Sequence, residues 1–310
     1  MRRLCVVTAL LLIQGLAQAA EFISIATGST SGVYYPVGVA LSRVYADVIT
    51  DAHVQVQSTK GSVENLNLLQ KRRVEVALSL ADTVKLAWDG DAEAGFPRPL
   101  DHLRVLAALY PGYVQVVALS DAAVSSVEQL AGKRMSVGAP KSGTELNARA
   151  IMTAAGISYD DFERVEYLPF AESAELMRNR QLDASLQTAG LGVASIKDLA
   201  INVAVDMVNL SPELIQQLGE PYRLAIIPAG TYRGQSTDIT TAAIPNLLLT
   251  HDEVSDELAY RMTKGLFDHL HVLRAAHSAA NGIELNDAVS RQAIPLHPGA
   301  ARFYREKGLL

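Results

Sequence analysis

The chain is nearly devoid of cysteine. Its single cysteine, Cys5, falls in an apolar N-terminal run, so the rest of the sequence has none. A disulfide, a thiolate nucleophile and a cysteine metal site are thereby excluded downstream. No later stretch is apolar over the roughly 20 residues that a membrane span requires, so stable membrane insertion is not expected. Positive charge is in deficit, with 27 Lys and Arg against 33 Asp and Glu, which argues against a nucleic-acid partner. Enzyme signatures are missing as well: there is no H-E-x-x-H, P-loop or G-x-G-x-x-G. Gly28-Ser29-Thr30-Ser31-Gly32 has the outline of a nucleophile elbow, but the central serine of G-x-S-x-G is replaced by Thr30. His269 and His271 lie two apart in an expected helix and diverge. His53, His102, His251, His277 and His297 show no ligand or catalytic spacing. No catalytic residue, metal or cofactor is expected.

The N-terminus has the three parts of a cleavable export signal. Arg2 and Arg3 form a basic start, Leu4 to Leu16 an apolar run, and Ala17-Gln18-Ala19 a small-x-small cleavage site. Residues 1–20 are therefore expected to be removed, leaving 25 basic against 33 acidic residues and a periplasmic protein. About 290 remaining residues suggest roughly two domains, and a hydrophobic fraction of 49% is ample for their cores.

Beyond the signal, strands and helices alternate. Ile23–Ala26 reads as a strand and Val33–Val48 as a helix, with Val33, Val37, Leu41, Val44 and Val48 on one face. Strands at 54–57 and 74–78 precede helices at 62–72 and 83–88. A strand at 103–109 meets the break Tyr110-Pro111-Gly112, and a second strand follows at 114–119. The theme then restarts: strands at 134–137, 165–168 and 184–187, helices at 144–155 and 172–180. Further strands are expected at 201–205, 224–227 and 244–249, with helices near 212–218 and over 252–273 before a C-terminal tail. This alternation predicts parallel α/β sheets. Two halves meeting at residues 110–112 predict two lobes with a cleft: lobe I over 21–112, lobe II over 113–250, and C-terminal helices over 251–310 packing back toward lobe I and the hinge.

Ligands on open α/β sheets gather at the carboxyl ends of strands, so the strand-to-helix loops supply the candidates. In the first half these are Ser29, Thr30 and Ser31, the loop at Ser58, Thr59, Lys60 and Ser62, and Asp82. In the second half they are Lys141, Ser142, Gly143 and Thr144, then Glu172, then Gln187 and Thr188. Such loops aim backbone N–H groups and hydroxyls at an anion from the positive end of a helix. Ser142 and Glu145 fit a capping box, so Ser142 either caps, binds, or does both; Ser62 carries the same alternatives. Tyr34 and Tyr35 are consecutive, about 100° apart on a helix, so one of them at most faces the cleft squarely. Tyr110 either lines the floor or fills the hinge.

An ordered series of motifs resembles the TAXI family, the solute receptors of one branch of TRAP transporters. It comprises Ala26-Thr27-Gly28-Ser29-Thr30-Ser31-Gly32-Val33-Tyr34-Tyr35-Pro36, Gly61 to Leu66, Gly138 to Glu145, Ile227 to Tyr232, Pro295 to Ala300, and Tyr304. The resemblance implies a two-lobed type II periplasmic binding protein. Such a receptor closes on a small organic acid or amino acid, such as glutamate, glutamine or 2-oxoglutarate, and delivers it to an ion-gradient-driven TRAP-type permease. Asp82 or Glu172 would hold an α-ammonium group if the ligand is an amino acid. The expected form is a monomer. The family often has glycine where this chain has Lys141, a residue that either strengthens carboxylate binding or points away. Alternatives are a receptor for an ABC importer, a periplasmic hydrolase using Ser29 or Ser142, and a ligand-sensing adaptor for a membrane kinase.

Overall fold

The structure, a computed structural model, describes residues 21–289 and 293–310. The export signal expected at 1–20 lies outside the described residues.

Strand β1 (Phe22–Ala26) leads into helix α1 (Tyr34–Val48), β2 (His53–Gln57) into α2 (Ser62–Gln70), and β3 (Val76–Leu80) directly into α3 (Ala81–Asp89). Helix α1 buries Val37, Leu41 and Val44, as their three- and four-residue spacing requires, and Pro36 sits in its first turn, where a missing N–H breaks no helical bond. The long strand β4 (Leu103–Leu119) follows, then β5 (Arg134–Ser136), α4 (Gly143–Ala154), β6 (Arg164–Glu166), α5 (Phe170–Arg178), β7 (Ala184–Ala189) and α6 (Ala194–Asn202). Next come β8 (Val205–Val208), α7 (Pro212–Leu218), β9 (Arg223–Ile227), the second long strand β10 (Ile239–His251), and helices α8 (Asp256–Asp268), α9 (Leu270–Ala276) and α10 (Pro298–Glu306).

The strands join in the order β2-β1-β3-β10-β4-β7-β5-β6, with β8 also on β4 and β9 on β10. Strands β1, β2 and β3 pair in parallel, as do β5, β6 and β7. Between the two sets run β4 and β10, antiparallel to each other and to their outer neighbours. The first part of β4 pairs with residues 247–251 of β10, and its second part, from Tyr113, pairs with β7. Both long strands therefore pass from one lobe to the other. At the crossing Pro111 faces Pro245, and the register shifts between Pro245 and Leu247. Neither proline has an N–H to donate, so the ladder is thinnest where the lobes meet.

The expected break at Tyr110-Pro111-Gly112 is thus an interruption of the ladder and not of the strand, because β4 continues through it. Three other expectations are corrected. Ile201 belongs to α6, whose Ile196, Leu199 and Ala200 are buried at helical spacing, and β8 begins only at Val205. The single helix expected over 252–273 is divided at His269, whose N–H and ring Nδ1 both engage the Gly265 carbonyl. The C-terminal tail contains α10, with Phe303 and Tyr304 fully buried.

Apolar clusters cover both faces of the sheet. One joins Ile23, Leu41, Leu78, Leu248 and Phe303, a second Val114, Met135, Ile151 and Leu186, a third Leu66, Val84, Phe96 and Leu249. Helix α10 crosses α8 at Gly299, where an added Cβ would lie 2.1 Å from the Asp256 carbonyl oxygen and 2.8 Å from the Tyr260 nitrogen. Backbone atoms cannot yield as side chains do, so Gly299→Ala is expected to destabilise the fold by about 3 kcal/mol, read as a lower urea midpoint with an unchanged denaturant slope.

Candidate functional site

The junctions that follow the parallel strands converge on a cavity of about 240 Å³ between the lobes. Five helices start on it. Gly32, Val33 and Tyr34 come from the start of α1, Gly61 and Ser62 from α2, and Leu80 precedes α3. From the other lobe come Ser142, Gly143 and Thr144 at the start of α4 and Pro169 and Phe170 at α5. The first N–H groups of a helix have no intrahelical acceptor, and each helix start carries about half a positive charge. The cavity is therefore electropositive with little formal charge: among the described residues Lys60 is the one Lys or Arg in its lining, and no Asp, Glu or His lines it.

The hydroxyls reinforce this polarity. Ser142 Oγ accepts from the Glu145 N–H at 3.1 Å, and Thr144 Oγ1 accepts from the Thr188 N–H at 3.4 Å. A hydroxyl that already accepts has its proton left to donate. Two further hydroxyls on the lining, Tyr110 OH and Thr188 Oγ1, are buried with no hydrogen-bond partner. An unmet buried hydroxyl costs about 1–3 kcal/mol, and these two sit against the cavity wall without such a partner among the described residues. Nearby, Tyr34 OH donates to Asn246 Oδ1 at 2.6 Å, and Asn246 Nδ2 donates to the Tyr110 carbonyl at 2.9 Å. Burial pushes both phenols up, Tyr110 further through Tyr34, while Ser62 acts against the rise at Tyr34. Both tyrosines are uncharged donors.

The lobes touch around the cavity. The Glu64 N–H donates to the Lys141 carbonyl at 3.3 Å. At Gly143 an added Cβ would lie 2.7 Å from Ser62 Oγ and 2.8 Å from Leu80 Cδ1 of the opposite lobe, so closure to this degree needs the absence of a side chain there.

Of the sequence candidates, Ser29, Thr30, Tyr34, Lys60, Ser62, Tyr110, Ser142, Gly143, Thr144 and Thr188 line the cavity together. Five do not. Ser31 is turned to Ser29, Oγ to Oγ at 2.9 Å. Gln187 is buried behind the wall, where its Oε1 accepts from Ser195 at 2.5 Å. Glu172 is exposed on α5. Lys141 has left-handed backbone, φ +63°, and lines a separate outer groove with Glu64, Glu145 and Arg149. Asp82 is 6% exposed and accepts from Asn147 and Tyr222. The capping box at Ser142 is half made, since Glu145 turns its carboxylate to Arg149, at 2.8 and 2.9 Å. Tyr35 is absent from the lining. Ser58 and Thr59, from the same loop as Lys60 and Ser62, also line it. Phe170 was missed: its ring comes within 3.7 Å of a Cβ placed on Gly32, and an aromatic after Pro169 carries no local signal of such a position.

The model of the NMT1-like family matches residues 25–308. Among solved structures, the methylphosphonate complex of PhnD1 from Prochlorococcus marinus is similar at 10% identity over 94% of this chain and 100% of that one, TM-score 0.60. The periplasmic binding protein BugD is similar at 12% identity over 93% and 94%, TM-score 0.59. A protein assigned as an L-cystine ABC transporter from Listeria monocytogenes is similar at 12% identity over 86% and 98%, TM-score 0.53. These likenesses show the fold: the two-lobed α/β architecture of type II periplasmic binding proteins, with its cleft between the lobes.

Tyr110→Phe removes an unpartnered buried hydroxyl and is expected to leave the protein as stable, or about 1 kcal/mol more stable, in urea unfolding.

Proposed function

The chain belongs to the NMT1-like family, and from that premise and the cleft we propose that it is the exported receptor of a membrane importer, closing on a small organic acid that carries no amino group. The observation that carries this reading is the cavity's donor-rich lining: helix starts and hydroxyls from both lobes, with no carboxylate among the described residues. An α-ammonium group would find no counter-charge there, because Asp82 is committed elsewhere and Glu172 faces solvent. Keto and hydroxy dicarboxylates fit better than glutamate or glutamine. A volume of about 240 Å³ suits a metabolite, below the roughly 300–1,000 Å³ of drug-sized pockets. Charge-assisted hydrogen bonds contribute about 1.5–3 kcal/mol each. Three or four accord with micromolar affinity, near −8 kcal/mol, once ordering costs are met.

Neither serine of the hydrolase alternative has a base beside it. Ser29 pairs with Ser31, Ser142 caps α4, and the lining contains no histidine among the described residues. A periplasmic location accords with the expected signal and with the fold, and no helix among the described residues is long and apolar enough to cross a membrane. For the partner, similarity to a protein assigned as an ABC transporter favours an ATP-driven importer. The motif resemblance supports the ion-gradient-driven TRAP-type permease as the second reading. Uptake that collapses on ATP depletion but survives a protonophore selects the first.

Titration calorimetry with 2-oxoglutarate, malate and succinate is expected to give micromolar binding of at least one, and weaker or no binding of glutamate and glutamine. Tighter glutamate binding overturns the exclusion of amino acids. No heat from any acid overturns the anion reading.

A further inference from the structure

We propose that Asp82 is a positioning residue for lobe closure: its carboxylate is the acceptor that Asn147 and Tyr222 of the opposite lobe reach when the cleft shuts, and it sets the open–closed balance of the empty protein without touching ligand. The proposal rests on the receptor reading in one respect, that the lobes part to admit a ligand.

Asp82 stands on the first turn of α3, behind the cavity wall that Leu80 and Gly143 form. Its Oδ2 accepts from Asn147 Nδ2 at 2.5 Å and from Tyr222 OH at 2.9 Å, and Asn147 Nδ2 also reaches Tyr222 OH at 2.8 Å. Asn147 lies on α4 and Tyr222 just before β9, so the three side chains are brought together by the packing of lobe against lobe. Thr83, from Asp82's own helix, adds a long bond of 3.4 Å to Oδ1. Burying a carboxylate is costly unless its lone pairs are met, and here neutral donors and the start of α3 meet them. Among the described residues no cation shares the work. The titratable groups that face Asp82 are two phenols, Tyr222 from lobe II and Tyr34 from α1, and burial, followed by the charge of Asp82 at Tyr222, pushes both up. A carboxylate with only neutral partners is a weak latch, strong enough to bias two states and too weak to lock one. Whatever it adds to the closed population passes directly into apparent ligand affinity.

A pH signature follows. Burial holds the Asp82 carboxyl above the usual carboxylate range, and the bonds from Tyr222, Thr83 and Asn147 oppose it. Parting the lobes would return the carboxyl to water and to the ordinary carboxylate range. Closing therefore tightens the hold on a proton, so closure is favoured as pH falls through the closed-state value and disfavoured above it.

The test uses distances between two spin labels on Arg73→Cys and Glu175→Cys, exposed positions on opposite lobes. With no cysteine in the chain after Cys5, labelling of the exported form is specific. In the ligand-free protein the short-distance population is expected to grow as the pH is lowered from the alkaline side toward the carboxylate range. Asp82→Ala lowers it about tenfold, and Asn147→Ala and Tyr222→Phe shift it the same way. Asp82→Asn, which keeps the acceptor without the charge, retains it and abolishes the pH dependence. Thermal unfolding of all four variants stays close to that of the parent, which separates closure from folding. A distance distribution indifferent to pH, or one that Asp82→Ala alone shifts, overturns the proposal. Calorimetry is independent of this outcome: shifting distances with no acid bound leave the latch and remove the ligand reading, and binding with fixed distances does the reverse.

Discussion

Strands β4 and β10 belong to both lobes at once, and the cleft depends on that sharing. Because β4 pairs with β10 in one half and with β7 in the other, the parallel strands of each lobe are held with their carboxyl ends toward a common gap. Five of the six helices that follow those strands then start on the gap. The opposition of Pro111 and Pro245 removes two donors from the ladder at the crossing. The covalent path between the lobes is thereby kept while its hydrogen-bonded stiffness is reduced.

That arrangement explains how the cavity becomes electropositive in a protein with a net negative charge of −6. Peptide dipoles do the work that arginines do elsewhere. They are fixed by the helices, require no counter-ion when the site is empty, and need no reorientation when an anion enters. Hydroxyls that already accept from backbone N–H groups are oriented as donors by the same helices. What the site lacks is as informative as what it has, for among the described residues its lining offers an ammonium group no counter-charge.

The outer layer of interactions serves a different end. Asp82, Asn147 and Tyr222 meet across the seam without lining the cavity, and the Lys141 carbonyl takes the Glu64 N–H from the other lobe. These contacts report whether the lobes are together. Chemistry that recognises ligand and chemistry that recognises closure thus occupy neighbouring but separate residues, often one or two positions apart on the same turn.

Local chemistry was legible in the residues alone. The stripe of Val37, Leu41 and Val44, the cap at Ser142 and the hydroxyl-rich loop at 28–32 involve partners within a few positions, and spacing reveals them. Hence the alternating architecture, and the loops that come to line the cavity at Ser29, Ser62 and Ser142–Thr144, could be read directly. Other features were decided by partners distant in sequence. Tyr34 meets Asn246 across 212 residues, and Asp82 meets Asn147 across 65. Whether Asp82 faces a ligand or a neighbouring lobe, which way Lys141 turns, and that Phe170 closes a wall against Gly32 all depend on how the lobes pack. Sequence periodicity specifies which face of an element is buried. The tertiary structure alone determines what lies against that face, because the partner comes from a segment whose distance along the chain leaves no local trace.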